Sequence, residues 1–245
     1  MLLAVDIGNS FAKFGIFDGT TLLEKFTISS IRNADASFFQ NELAPRLHFL
    51  DSAVISSVVP EFDEPLSKFL NATFDVEAIR VDSTFDLGLT ICYEPSTAVG
   101  IDRIVAASAA LKYGTPVIIC DLGTATTIDA VDSDKNYLGG TIAPGMNTMA
   151  SSLREKTSKL PEISIERTKN IIGNTTELSI RSGVFWGYVS LVEGLIARIR
   201  TEVTGSPKVI ATGGFAEIIA AETRSIDIVE TDLILRRLAE LNERL

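Results

Sequence analysis

Leu2-Leu3-Ala4-Val5-Asp6-Ile7-Gly8-Asn9-Ser10 and Val117-Ile118-Ile119-Cys120-Asp121-Leu122-Gly123-Thr124-Ala125-Thr126-Thr127 are two copies of one phrase. In each, a short apolar run reads as a buried strand that ends in an aspartate. A glycine then lets the backbone turn tightly beside a ligand. The small hydroxyl and amide residues that follow carry donors suited to phosphate oxygens. An alternating strand comes next, Phe11 to Phe17 in one copy and Ala125 to Val131 in the other. A polar turn (Asp18-Gly19, then Asp132-Ser133-Asp134) leads to a third strand, Leu22 to Ile28 or Tyr137 to Ala143. Two strand–phosphate-loop–strand units predict two like domains facing a nucleotide.

The bulk properties agree with that reading and exclude others. The chain has 245 residues, enough for two domains of ordinary size. Acidic residues outnumber basic ones, 32 to 22, so the field of the whole protein repels nucleic acid and anionic membrane. An anionic ligand must therefore be captured by local backbone donors, a few cations and a metal ion. Asp6 interrupts the apolar start, which argues against a signal peptide. No segment reaches the roughly 18 apolar residues of a membrane helix, and the expected location is cytoplasmic. Cys120 reads as core; Cys92 precedes a candidate site and stays open. His48, between Leu47 and Phe49, has no partner motif. Zinc, thiol and serine-triad chemistry accordingly lack support.

Along the chain, helices are predicted over Ser29 to Asn41, Glu61 to Leu70, from Ile101 to Gly114, and from Pro144-Gly145 through Glu155. Ala53 to Val59, Glu77 to Val81 and Lys208 to Thr212 read as strands, Asp82 to Pro95 as an irregular connector, and Thr231 to Leu245 as a terminal amphipathic helix. A long helix from about Thr175 to Arg200 contains Gly183, Gly187 and Gly194. Each glycine costs about 1 kcal/mol relative to alanine there, so close approach by another backbone is expected, the simplest source being a neighbouring helix or a second subunit.

Four groups of residues can carry chemistry. Asp6 and Asp121, each at a strand end before small polar residues, can hold a cation against phosphates; a lone Asp-x-Gly would mean no more than a turn. Lys13 can reach a phosphate or stand as a solvated lysine. No glycine loop ending in Lys-Ser or Lys-Thr is present, so phosphate binding does not follow the P-loop route. Tyr93-Glu94-Pro95 precedes Gly100-Ile101-Asp102-Arg103 at a helix start. There the helix dipole stabilises an aspartate as the anion, and Arg103 offers a fork matched to a carboxylate. Neighbours at i and i+1 do not face each other, so each is open to a ligand; a first-turn Asp beside a solvated Arg is the plain alternative. Gly139-Gly140-Thr141-Ile142-Ala143-Pro144-Gly145 and Thr212-Gly213-Gly214 present backbone near helix starts, the latter suited to an adenosine.

Taken in order, DIGNS at Asp6, SSVVP at Ser56, YEPSTAVGIDR at Tyr93, DLGTATT at Asp121, GGTIAPG at Gly139, MASSLREKTSKLP at Met149, GNTTELSIRSG at Gly173 and TGG at Thr212 resemble the type III pantothenate kinases almost end to end. The resemblance implies an α/β fold of the actin-like, acetate and sugar kinase kind, with two duplicated ribonuclease-H-like domains facing a nucleotide cleft. The halves would be residues 1–115 and 116–245. It implies transfer of the γ-phosphoryl group of ATP to pantothenate, the first step of coenzyme A synthesis. Asp6, Ile7, Gly8, Asn9, Ser10, Phe11, Ala12 and Lys13 look like the first ATP-phosphate loop, with Thr124 a further ATP contact and Gly213 on the adenosine side. Asp102 is similar to the catalytic base, and Tyr93, Gly100, Ile101, Arg103 and Thr176 match pantothenate contacts. Asp121 matches the ligand of a monovalent cation, K+ or NH4+, while Mg2+ accompanies ATP. A homodimer is implied, with no nucleic-acid or membrane partner. Two departures stand out: Ser10 replaces a usual threonine and keeps the hydroxyl, and Arg237 stands where glycine is usual, which puts the backbone of the last helix in question. The rivals are an actin-fold phosphatase or NTPase using water, and a non-catalytic nucleotide sensor acting on transcription.

Overall fold

The protein is described here from a computed structural model covering residues 1–156, 160–161 and 163–243. Its chain forms two compact units. The first comprises residues 1–89 and 93–109 together with the chain from Asp232 on; the second comprises 90–92 and 110–231. Among the described residues, no helix is long and apolar enough to cross a membrane.

In the first unit, β1 (Leu2–Ile7) is buried along its whole length. It pairs antiparallel with β2 (Phe11–Asp18) and parallel with β4 (Ser52–Ser57). With β3 (Thr21–Ser29) and β5 (Ala78–Arg80) the sheet order is β3-β2-β1-β4-β5. Side chains alternate across a strand, and here both faces are covered. Leu3, Val5 and Ile7 share a core with Phe39 and Leu43 of α1 (Ala36–Leu43) and with Phe62 and Leu66 of α2 (Pro60–Phe74). Ala4 and Asp6 take the other face. There α7 (Leu233–Asn242) packs on β1, β2 and β4, and a Cβ on Gly15 would come 3.4 Å from Leu235. Covered faces explain why β1 reads as a continuous apolar run.

The second unit repeats the plan. Strands β7 (Val117–Leu122), β8 (Ala125–Val131), β9 (Asn136–Pro144), β10 (Lys208–Thr212) and β11 (Ile228–Val229) lie in the order β11-β10-β7-β8-β9, with the short β6 (Thr90–Ile91) added beside β9. β7 pairs antiparallel with β8 and parallel with β10, as β1 does with β2 and β4. Ile118, Cys120 and Leu122 face α5 (Thr176–Glu202) through Val184, Phe185 and Tyr188. The duplicated phrase is thus a duplicated sheet.

Several expectations shift in detail. The helix predicted from Ser29 begins at Ala36, because Asp35 caps it by accepting the Phe38 N–H at 2.9 Å. Asp82 to Pro95 contains the two-residue strand β6, and α6 (Ala216–Ala220) and β11 were too short to show a period. A Cβ on Gly183 or Gly187 would meet nothing within 4 Å, so no described residue of this chain makes the close approach expected there. Arg237 sits inside α7 in ordinary helical backbone and needs no glycine conformation. Its buried Nε donates to Ser108 Oγ at 2.9 Å, and Ser108 donates to the Leu87 carbonyl at 2.5 Å. That relay ties α7 to α3 (Ile101–Ala110). Residues 157–159 of the MASSLREKTSKLP segment, and 244 and 245 of the expected terminal helix, lie outside the described residues.

Candidate active site

In the first unit, β1 and β2 place Asp6 opposite Lys13, with Lys13 Nζ 3.8 Å from Asp6 Oδ2. Asp6 is buried and Lys13 half-buried. The loop between them closes by the Gly8 N–H donating to the Phe11 carbonyl at 3.0 Å. This leaves Asn9 and Phe11 exposed and Ser10 half-buried, while Ile7 and Ala12 are buried.

At the start of α3, Asp102 Oδ1 accepts the Arg103 backbone N–H at 2.8 Å. The carboxylate thus lies on the positive end of the helix, where an anion is stabilised. A Cβ on Gly100 would sit 2.5 Å from that same oxygen, so this glycine makes room for the Asp102 side chain. Arg103, 8% exposed, holds its guanidinium carbon 5.7 Å from the centre of the Tyr93 ring. Stacking of this kind favours a planar guanidinium over an ammonium. Ile101 and Asp102 are half-buried. The solvated-arginine alternative is therefore set aside for Arg103.

In the second unit, the half-buried Asp121 at the end of β7 is framed by two glycines. A Cβ on Gly213 would come 2.5 Å from Asp121 Oδ1, and on Gly123 3.6 Å. Gly213 has φ +92°, a left-handed conformation that glycine adopts without steric cost. Beneath the loop, Thr126 and Tyr188 share a buried hydroxyl–hydroxyl hydrogen bond of 2.6 Å. Burial pushes the Tyr188 phenol up to about 12, with the nearby Asp121 adding to the rise against the opposing Thr126 contact. Thr124 is exposed; its carbonyl accepts from the Gly145 N–H at 3.0 Å and from Thr148 Oγ1 at 2.8 Å. This fastens the second loop to α4 (Met146–Lys156). Thr176 opens α5 as an exposed residue behind its cap Thr175, which accepts the Leu178 N–H at 3.2 Å. A cavity of about 320 Å³ bordered by Gly173, Asn174 and Arg181 lies beside it.

The fold therefore brings Asp6 to Lys13, Tyr93 and Gly100 to the Asp102–Arg103 pair, and Gly213 to Asp121. The Thr126–Tyr188 bond escaped the sequence reading; its only signal was a hydroxyl on the inward side of β8. Ser56, in the SSVVP segment, has no role assigned by the sequence. It is the neighbour of Asp6 in the parallel β1–β4 pair, fully buried, and its hydroxyl has no hydrogen-bond partner among the described residues.

Comparison with known proteins adds a separate line of observation. The family model described as type III pantothenate kinase matches residues 2–198. A type III pantothenate kinase of Paramagnetospirillum magneticum is 41% identical over 254 residues, covering 100% of this chain and 97% of that protein. A solved structure from Campylobacter jejuni, described as a candidate Baf family transcriptional activator, is similar with a TM-score of 0.63 and 22% identity, covering 99% of this chain and 100% of that one. An Arthrobacter inorganic polyphosphate/ATP-glucomannokinase is similar with a TM-score of 0.50 and 14% identity, covering 100% and 99%. These structural likenesses speak to the fold, that of the actin-like sugar kinases.

Proposed function

Because the chain belongs to the type III pantothenate kinase family, we propose that the residues at the start of α3, and those of the loops after β1 and β7, carry out phosphoryl transfer from ATP to pantothenate. The observation that carries this assignment is Asp102: a half-buried carboxylate held on a helix N-terminus beside a buried, ring-stacked arginine. Phosphoryl transfer has a loose transition state, so positioning and charge neutralisation matter more than a strong base. Asp102 orients the primary hydroxyl of pantothenate and takes its proton as transfer proceeds. Arg103, steadied by Tyr93, grips the pantothenate carboxylate, with Gly100, Ile101 and Thr176 as further contacts.

Asp6 through Lys13, Thr124 and Gly213 receive ATP. Asp6 offers one carboxylate at the first phosphate loop, which fits an ion held by one carboxylate, water and nucleotide phosphates, the way Mg2+ commonly binds. When bound, such an ion neutralises charge on the transferred group. Asp121 is assigned to K+ or NH4+.

Pantothenate-dependent ADP release tests the reading, and Arg103→Lys sharpens it. Lysine keeps the charge but loses the planar fork. Losing one charged hydrogen bond costs about 1.5–3 kcal/mol, a roughly ten- to hundredfold drop in kcat/KM for pantothenate, with ATP binding nearly unchanged. Weakened ATP binding with intact pantothenate kinetics would reject the assignment. We also assign a homodimer, supported by the exposed Gly183 and Gly187 on α5, which no described residue approaches. Sedimentation of the active species as a single 245-residue chain would overturn it.

A further inference from the structure

Ser56 is the last but one residue of β4 and is 0% exposed. Among the described residues its Oγ has no hydrogen-bond partner. Burying a hydroxyl without a partner is unfavourable, and an alanine at this position would fill nearly the same space. The next residue shows the contrast: Ser57 Oγ accepts the Val59 N–H at 3.1 Å and so has an evident local task. Position says what Ser56 is for. In the parallel β1–β4 pair it stands level with Asp6, and paired residues of neighbouring strands project to the same face. That face is the one opposite the core formed by Leu3, Val5, Ile7, Ala53 and Ile55.

The second sheet repeats the arrangement. Thr212 of β10 stands level with Asp121 in the parallel β7–β10 pair and is 2% exposed. Both halves of a duplicated fold thus set a buried hydroxyl-bearing residue level with the aspartate next to the end of the first strand. A packing requirement alone would be met equally well by an apolar side chain at either place.

We propose that Ser56 is a positioning residue of the ATP-phosphate site, its hydroxyl hydrogen-bonding the water shell of the divalent ion that Asp6 receives with the nucleotide. This rests on the phosphotransfer reading above. A hard divalent ion such as Mg2+ keeps several of its waters, and a fixed hydroxyl beside the one liganding carboxylate holds such a water in place. The same hydroxyl, without a partner among the described residues, gains one when the ion arrives. Ser56 therefore contributes to the metal-dependent part of nucleotide affinity and to nothing else.

The test is a binding comparison that involves no turnover. Wild type, Ser56→Ala and Ser56→Cys are titrated with a non-hydrolysable ATP analogue, with and without Mn2+, and the free proteins are thermally unfolded. Cysteine removes the hydroxyl while filling its space, so a void cannot explain a result shared by both variants. The metal-free affinity should be unchanged, and the enhancement of affinity by Mn2+ should fall about three- to tenfold, the worth of one hydrogen bond. The free variants should unfold at the wild-type temperature or above it. An undiminished Mn2+ enhancement would overturn the proposal. So would an equal loss with and without metal, or free variants less stable than wild type. A wild-type protein that binds the analogue but fails to phosphorylate pantothenate would instead remove the phosphotransfer reading, leaving the Mn2+ comparison legible.

Discussion

Asp102→Asn is expected to keep ATP and pantothenate binding while pantothenate-dependent ADP release falls by about 10²–10⁴-fold, the usual contribution of a positioned general base. The structure makes this substitution a clean one. Asp102 Oδ1 accepts the Arg103 N–H at 2.8 Å, and the amide oxygen of asparagine accepts the same bond, so the start of α3 survives. Gly100 already gives the side chain its room, and asparagine has the same size. What is lost is the ability to take a proton and to orient a hydroxyl as its acceptor. The measurement also separates the rivals. A phosphatase would release phosphate from ATP in the wild type without pantothenate, and a sensor would turn over in neither form. A folded Asp102→Asn protein that phosphorylates pantothenate at the wild-type rate would overturn the mechanism.

The second large effect concerns the monovalent cation. K+ or NH4+ should raise turnover strongly over Na+, and Asp121→Ala should abolish that stimulation. Its size is expected to be about 10²-fold, that of removing one preorganised electrostatic contact from a transition state. The geometry supports a weakly held ion: one half-buried carboxylate, whose Oδ1 lies where a Cβ on Gly213 would intrude. That close approach restricts where the carboxylate can go, so its orientation is set before any ion arrives. Equal rates in sodium and potassium buffers would sink the assignment of Asp121.

Much of this was legible in the residues. The duplicated strand phrases led directly to two sheets of matching order, because a strand covered on both faces leaves a continuous apolar run ending at a polar loop. The long α5 was readable from its length, while the capping role of Thr175 shows only in the structure. Elements such as α6, β6 and β11 were not, since a few residues contain less than one informative period. The start of α1 was misplaced because the polar stretch after Ile28 carries no stripe, and only the capping bond of Asp35 decides it. At the site, residue types revealed which groups were chemical but not how they are held. Gly100 and Gly213 were read as openings for a ligand, yet each also clears space for an aspartate side chain close in space. Ser56 looked like one more small strand residue; only the pairing of β4 with β1 brings it beside Asp6.

Helix α7 covers the Asp6 face of β1, although some 230 residues separate them in the chain. The sheet that β1 begins is therefore closed by a helix made long after it. Until Leu233 has been synthesised, that face of β1, β2 and β4 lacks the helix that shields it. All five of the principal strands of the second sheet emerge in the interval. Contacts of such long sequence separation slow folding and leave apolar surface bare in the meantime. While the second sheet is being made, the first phosphate loop stands on a sheet whose Asp6 face still awaits its covering helix.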